Sequence, residues 1–418
     1  MFSLYSVKKF FYNISKWITS EILAIPLALI LYTSPLSPLS TLNLLRQKGF
    51  FEYIPTIEAI RSNKLNFYSG RFRNLIKLAR FSHTYGEKGI IRQEIERQLQ
   101  KVEVELELAD YNLTQFYEFM SIFTTIFPSI IASTLIFIDI SLAVSIMILL
   151  ALASNVASFL SLVIFPMEAR INNPNTKSLA RIFILFGILS TIFYIISSAI
   201  LNLYLPATLS LGIAAFLPSI VMFNYIQEEI KELDEAMNRI RLAISTPFNI
   251  FKHLGKMPKE IILETRNPIA KAANICIYLI SLYSGKKDAY MFLESYYRRY
   301  LDFIKRLRDK TRVMLIYFLI ECTVIASIHA FMFTALEFMS KFDVLSSGII
   351  KIPTHVEIMV YRKSIDLILT LTSLALSLTT ANSREGNPVF FLLYLPFSSV
   401  AITVAFYVAY FLGGTLFL

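Results

Sequence analysis

Cysteine is nearly absent from this 418-residue chain. Its two cysteines, Cys276 and Cys322, fall one in a soluble stretch and one inside an apolar run, so they build neither a disulfide framework nor a zinc site. Histidine is as scarce: His83, His253, His329 and His355 are too scattered to suggest a metal centre. The common catalytic signatures are missing too. There is no GxxxxGKS or GxxxxGKT, and the triplet Gly285, Lys286, Lys287 lacks both the upstream glycine and the hydroxyl that would reach magnesium. HExxH, GxSxG and CxxC do not occur. These absences assign no catalytic, cofactor-binding or metal-binding residue, and the chain is not read as an enzyme.

Charge is the scarcity that sets the class. Charged residues make up 17% of the chain against 55% hydrophobic, and mean hydropathy is +0.57, a balance that one soluble core of this length struggles to bury. A multi-pass, all-α membrane protein of about 7–8 spans follows. A bilayer core of roughly 30 Å needs about 20 apolar helical residues. Seven segments qualify: Phe116 to Ile138, Ile140 to Phe165, Leu179 to Tyr204, Pro206 to Ile226, Val313 to Phe338, Ile358 to Ala381 and Val389 to Leu418. An eighth, Ile18 to Thr33, is short and contains Pro26. It fits a tilted span, a re-entrant piece or a helix lying at the interface, where Trp17 and the lysines Lys8, Lys9 and Lys16 sit comfortably.

The formal charge of +10 could point to nucleic acid, but its placement points to a bilayer. Twelve basic residues lie between Arg46 and Lys101 and seventeen between Lys231 and Arg312, with Arg170, Lys177 and Arg181 in a short connection. The alternate connections carry almost no charge. Four expected spans separate the two large basic segments, so both emerge on one side, which the positive-inside bias makes cytoplasmic. The stretch from Lys341 to Lys363 and the C terminus are then expected outside. This divides the chain into an N-terminal interfacial or short membrane segment (1–41), a first cytoplasmic helical domain (42–115), four spans (116–226), a second cytoplasmic helical domain (227–312) and three spans (313–418).

The two basic segments read as one module used twice. In the first, KVEVELELA (101–109) alternates like a strand. The longer window overturns that: Ile91, Ile95, Leu99, Val102, Leu106, Ala109 and Leu113 recur at spacings of three and four, one stripe of a helix. In the second, Ile226, Ile230, Leu233, Met237 and Ile240 form a similar stripe. Each segment then has an apolar helix (Asn74 to Phe81; Ile269 to Leu282), a glycine-containing turn (Tyr85 to Gly89; Ser284 to Lys287), a long amphipathic helix and an apolar run.

Two sets of charges remain as candidates. Glu321 and Asp366 lie within expected spans, where an ionisable group costs several kcal/mol unless partnered, as in helix pairing or contact with a bound helix. The basic residues beside the spans either attract anionic lipid, at about 1 kcal/mol each near such a surface, or dock an acidic partner.

The order of parts, and the run Tyr297 to Phe318 (YRRYLDFIKRLRDKTRVMLIYF), resembles the secretion F / type IV pilus assembly platform family in its archaeal form, the membrane platform of the archaellum and of archaeal adhesive pili. The resemblance covers about Leu42 to Phe342. It implies a cell-membrane platform with two cytoplasmic helical domains and no catalytic residues. A cytoplasmic hexameric secretion ATPase would bind those domains, and pilin-like subunits would be lifted from the lipid bilayer into a filament. The platform would act as a homo-oligomer without direct nucleic-acid contact. By resemblance, Lys286, Lys287, Arg298, Arg299, Arg306 and Arg308 are the ATPase-facing set. The rival reading is a polytopic transporter, channel or general membrane scaffold.

Overall fold

A computed structural model describes residues 4–201, 203–246, 257–283, 285–340 and 354–417. Asn202, Ser284 and the stretch 341–353, which includes most of the expected outer segment, lie outside the described residues. The chain is 86% helical, with no strand among the described residues. The helices are α1 (Leu4–Thr33), α2 (Pro38–Gln47), α3 (Ile57–Arg61), α4 (Gly70–Tyr85), α5 (Gly89–Ser121), α6 (Phe127–Thr134), α7 (Ile140–Ser158), α8 (Ser161–Ile164), α9 (Thr176–Ile195) and α10 (Pro206–Ser245). They continue with α11 (Pro258–Glu264), α12 (Pro268–Leu282), α13 (Lys287–Lys310), α14 (Arg312–Met339), α15 (His355–Glu385) and α16 (Phe391–Phe417). Among the described residues eight helices are long and apolar enough to cross a membrane, the architecture of a multi-pass membrane protein.

The chain forms two compact units, Met1–Glu105 with Gln227–Lys305, and Leu106–Ile226 with Arg306–Leu418. The two basic segments, expected as separate domains, thus share one unit, and α1 belongs to it. Helices α5, α10 and α13 each begin in one unit and end in the other.

Within the first unit the repeat expected from the sequence has a counterpart in element order: α3, α4, α5 and α11, α12, α13 are each a short helix, a helix of about four turns, and a long helix. Local chemistry starts the middle member in both. The Ser69 hydroxyl accepts from the Phe72 N–H at 3.2 Å, and the Asn267 side chain accepts from Ile269 and Ala270 N–H at 2.9 and 3.1 Å, satisfying donors that a helix start leaves open. Gly86, at φ 73°, ends α4 in the left-handed conformation that glycine adopts without a Cβ penalty. The KVEVELELA run is helical within α5, and its seven-residue stripe from Ile91 to Leu113 is buried throughout.

Helix α1 packs against both α4 and α12, the equivalent members of the two copies. From Leu23 to Leu31 every residue is buried. Both turns of the repeat meet the chain just past its end. The Lys88 ammonium donates to the carbonyls of Ser34 and, at 2.7 Å, of Leu36, and Gly285 lies against Pro35, 3.0 Å from where its Cβ would stand. Burial pushes the Lys88 amine down to about 8. Tyr32 meets Phe292 edge to face, with ring centroids 4.6 Å apart.

In the second unit α15 is the central helix, packed against α7, α14 and α16. The expected span Phe116 to Ile138 is not one regular helix. A π-helical turn, Ile122–Ile126, separates α5 from α6, and Phe127 N–H bonds to Ile122 O, five residues back. Pro128 accounts for it: with no N–H it cannot bond to Thr124 O, and its ring crowds the preceding turn. A second π-helical turn, Ile196–Ile200, ends α9. The remaining expected spans fall on helical segments, with Ile140 to Phe165 covering α7 and α8 and Pro206 to Ile226 forming the first part of α10, which runs on to Ser245.

Candidate functional site

The basic candidates lie on α13 and the turn before it. Lys286, Lys287, Arg298, Arg299 and Arg306 are exposed, and Arg308 is half-buried. Lys287, Arg298 and Lys305 are eleven and seven residues apart, which places them on one stripe of the helix, with Arg299 and Arg306 on the neighbouring one. The stripe beside Lys287, Arg298 and Lys305 is apolar and inward: Tyr290, Leu293, Tyr297, Tyr300 and Leu301 are buried, and the Tyr297 hydroxyl donates to Ile269 O of α12. The interleaved tyrosines therefore lock α13 onto its own bundle and leave the cations outside.

Inside the first unit, α10 and α13 enclose an open groove of about 380 Å³, lined by Asp234, Met237, Asn238, Arg241, Arg298, Leu301, Asp302 and Lys305. Its floor is the apolar pair Met237 and Leu301; its walls are ionic. Glu294 joins the walls, 3.6 Å from Arg241 and 2.8 Å from Arg298. Arg241, Arg298 and Lys305 stand against Asp234, Asp302 and Glu294, so the opening carries both signs in balance. Such a groove suits a segment carrying charges of both signs and a small apolar anchor.

The structure thus brings Arg298 together with Lys305 and Arg241. It does not bring Arg308 to the same place: that guanidinium lies 3.5 Å from Glu385 in the second unit. Sequence reasoning passed over Asp234, Asn238 and Arg241 because they flank the apolar stripe of α10 as ordinary solvated positions. The usable signal was their spacing of four and three residues, which puts them on one face.

The two carboxylates of the expected spans are both engaged by protein. Asp366 on α15 accepts hydrogen bonds from Ala207 N–H at 2.8 Å, Thr208 N–H at 3.0 Å and the Thr208 hydroxyl at 2.9 Å. It caps the first turn of α10 from another helix, placing a negative group at the positive end of the helix dipole. Glu321 on α14 accepts from the Thr124 hydroxyl at 3.3 Å, inside the first π-helical turn.

Asp366 also opens a seam of small polar side chains along α15. Thr370 meets Thr208 at 2.9 Å, Ser373 and Ser377 meet Ser398 at 2.7 and 2.9 Å, and Thr380 meets the Tyr117 hydroxyl at 2.8 Å. Backbones approach closely beside it: a Cβ on Gly212 would lie 2.5 Å from that of Ser399. Small residues and interhelical hydrogen bonds are what hold apolar helices together where water is absent. No group of three or more histidine, cysteine, aspartate or glutamate side chains suited to a metal ion occurs among the described residues. Comparison with protein-family models, curated proteins and solved structures finds no match to this chain.

Proposed function

We propose that the chain is a cell-membrane platform for assembly of a type IV pilus-like or archaellum filament, coupling a cytoplasmic hexameric secretion ATPase to the movement of pilin-like subunits. The observation that carries this reading is the single compact unit built from both basic segments, joined to the apolar helices through α5, α10 and α13. A cytoplasmic motor needs a folded surface to push on and a helical connection to the bilayer, and those parts are present. The charge bias supports a cytoplasmic side for both basic segments, with the C terminus outside. The α10–α13 groove is the docking point in this reading. A transporter reading draws on the polar seam of α15, but the side chains of that seam are engaged in hydrogen bonds between helices.

The test is binding of the full-length chain, in neutral detergent at low and high salt, to a purified hexameric secretion ATPase. Single reversals of exposed cations cost about 1 kcal/mol or less, so paired changes are informative. Arg298→Glu with Lys305→Glu should weaken binding more than tenfold, and Lys286→Glu with Lys287→Glu less. Equal affinity for wild type and the groove pair would remove the groove from the docking site; loss seen only in anionic bilayers would assign these cations to lipid.

A further inference from the structure

By length and composition α1 passes for a span over Tyr12–Thr33, yet its surroundings divide it into two halves with different neighbours. The second half has no side left for lipid. Leu23, Ala24, Ile25, Leu27, Ala28, Leu29, Ile30 and Leu31 are all buried by the first unit itself, the environment of a core helix that is apolar all round. At the middle of the supposed span Glu21 lies 3.1 Å from Arg71, and Ser20 Oγ accepts from Ser69 N–H at 2.9 Å. Both partners belong to the first basic segment. A span centred there would carry this ion pair and the start of α4 into hydrocarbon, at a cost of several kcal/mol.

The first half is amphipathic and only partly covered. Tyr12 meets Tyr53 edge to face, and the Lys16 ammonium sits 4.1 Å above the Tyr68 ring, so this side is held against the unit. Ile14, Trp17 and Ile18, three and four residues apart, form an outward stripe with 39%, 45% and 43% of their surface exposed. Val7, Phe10 and Phe11 precede them in the sequence at the same helical spacing, with Lys8 and Lys9 interleaved. A tryptophan on an apolar stripe flanked by lysines is the composition of a helix lying in the head-group region of an anionic bilayer.

We propose that α1 does not cross the membrane: its second half is the central core helix between the two copies of the repeat, and the stripe Ile14, Trp17, Ile18 seats the first unit on the anionic bilayer surface. This inference stands apart from the filament reading, since any membrane protein with this unit could use it.

Trp17 is the sole tryptophan of the chain, so its fluorescence reports this stripe without background. The full-length protein is reconstituted in anionic vesicles whose acyl chains carry bromine either near the head group or near the methyl end. Quenching by the shallow bromine should exceed that by the deep one by at least about twofold. Single cysteines introduced by Ser3→Cys and Asn66→Cys, with both native cysteines replaced by alanine, should react with an impermeant maleimide from the same side. Reaction from opposite sides means that α1 spans and overturns the proposal. Quenching at neither depth means that water or a protein partner covers the stripe, and stronger quenching by the deep bromine means that it is inserted; each overturns it as well.

Discussion

Helices α1 and α9 are nearly the same object in the sequence and opposite objects in the fold. Both are apolar helical runs of spanning length, 22 and 25 residues. In the apolar window of α1 56% of the residues are buried inside the protein, and in that of α9 only 6%. Hydropathy measures how strongly a helix avoids water, and protein core and lipid satisfy that demand equally well. The difference comes from neighbours that lie far away in sequence: α1 has α4 and α12, whereas α9 turns Ile184, Leu185, Ile188, Ile192 and Ile195 outward.

Truncating one isoleucine in each helix gives the widest separation. Ile30→Ala, at a position with no exposed surface, should cost about 3 kcal/mol through lost burial and the cavity left behind. Ile188→Ala in α9 should stay within about 0.5 kcal/mol. Thermal unfolding of both variants in the same detergent checks this, and equal losses would break the contrast.

The same contrast holds for two carboxylates that cap helices. Asp366 is buried and caps α10 from a different helix with three hydrogen bonds, whereas exposed Asp139 caps its own helix α7 through Leu142 N–H at 3.0 Å. Asp366→Ala should therefore destabilise the second unit by about 2–3 kcal/mol, because it strands donors where water does not reach. Asp139→Ala should cost about 1 kcal/mol or less. A larger loss at Asp139 would show that the position of the cap matters less than the local turn it makes.

The smallest effect sharpens the picture of how α1 is held. Burial lowers the Lys88 amine in the folded protein to about 8, below its ordinary value of 10.5. Between those values the unfolded chain carries the extra proton, so stability should rise with pH across the window, and the cost of burying the ammonium is fully present below about pH 8. Lys88→Met should flatten that rise, read as the difference between wild-type and variant unfolding temperatures from pH 7.5 to 9.5. An identical slope in both proteins would mean that the amine is better solvated than its contacts with Ser34 and Leu36 imply.

Helix content, the long apolar runs and the concentration of basic residues were all readable along the chain, because each depends on local periodicity and composition. The stripe from Ile91 to Leu113 identified a helix where KVEVELELA imitated a strand, and Ser69 and Asn267 mark the starts of equivalent helices through their own short side chains. The cations of α13 could be found as exposed positions off the apolar stripe of Tyr290, Leu293 and Tyr297. What no local pattern carries is partnership. That the two basic segments share one unit, that α1 is its core helix, that Arg241 closes a groove with Arg298 and Lys305 while Arg308 turns to Glu385, and that Asp366 caps a helix 158 residues earlier in the chain are decided by contacts between distant segments. Solvent aversion has a magnitude but no direction, so the sequence determined which residues must leave water, and the tertiary structure decided what each of them meets.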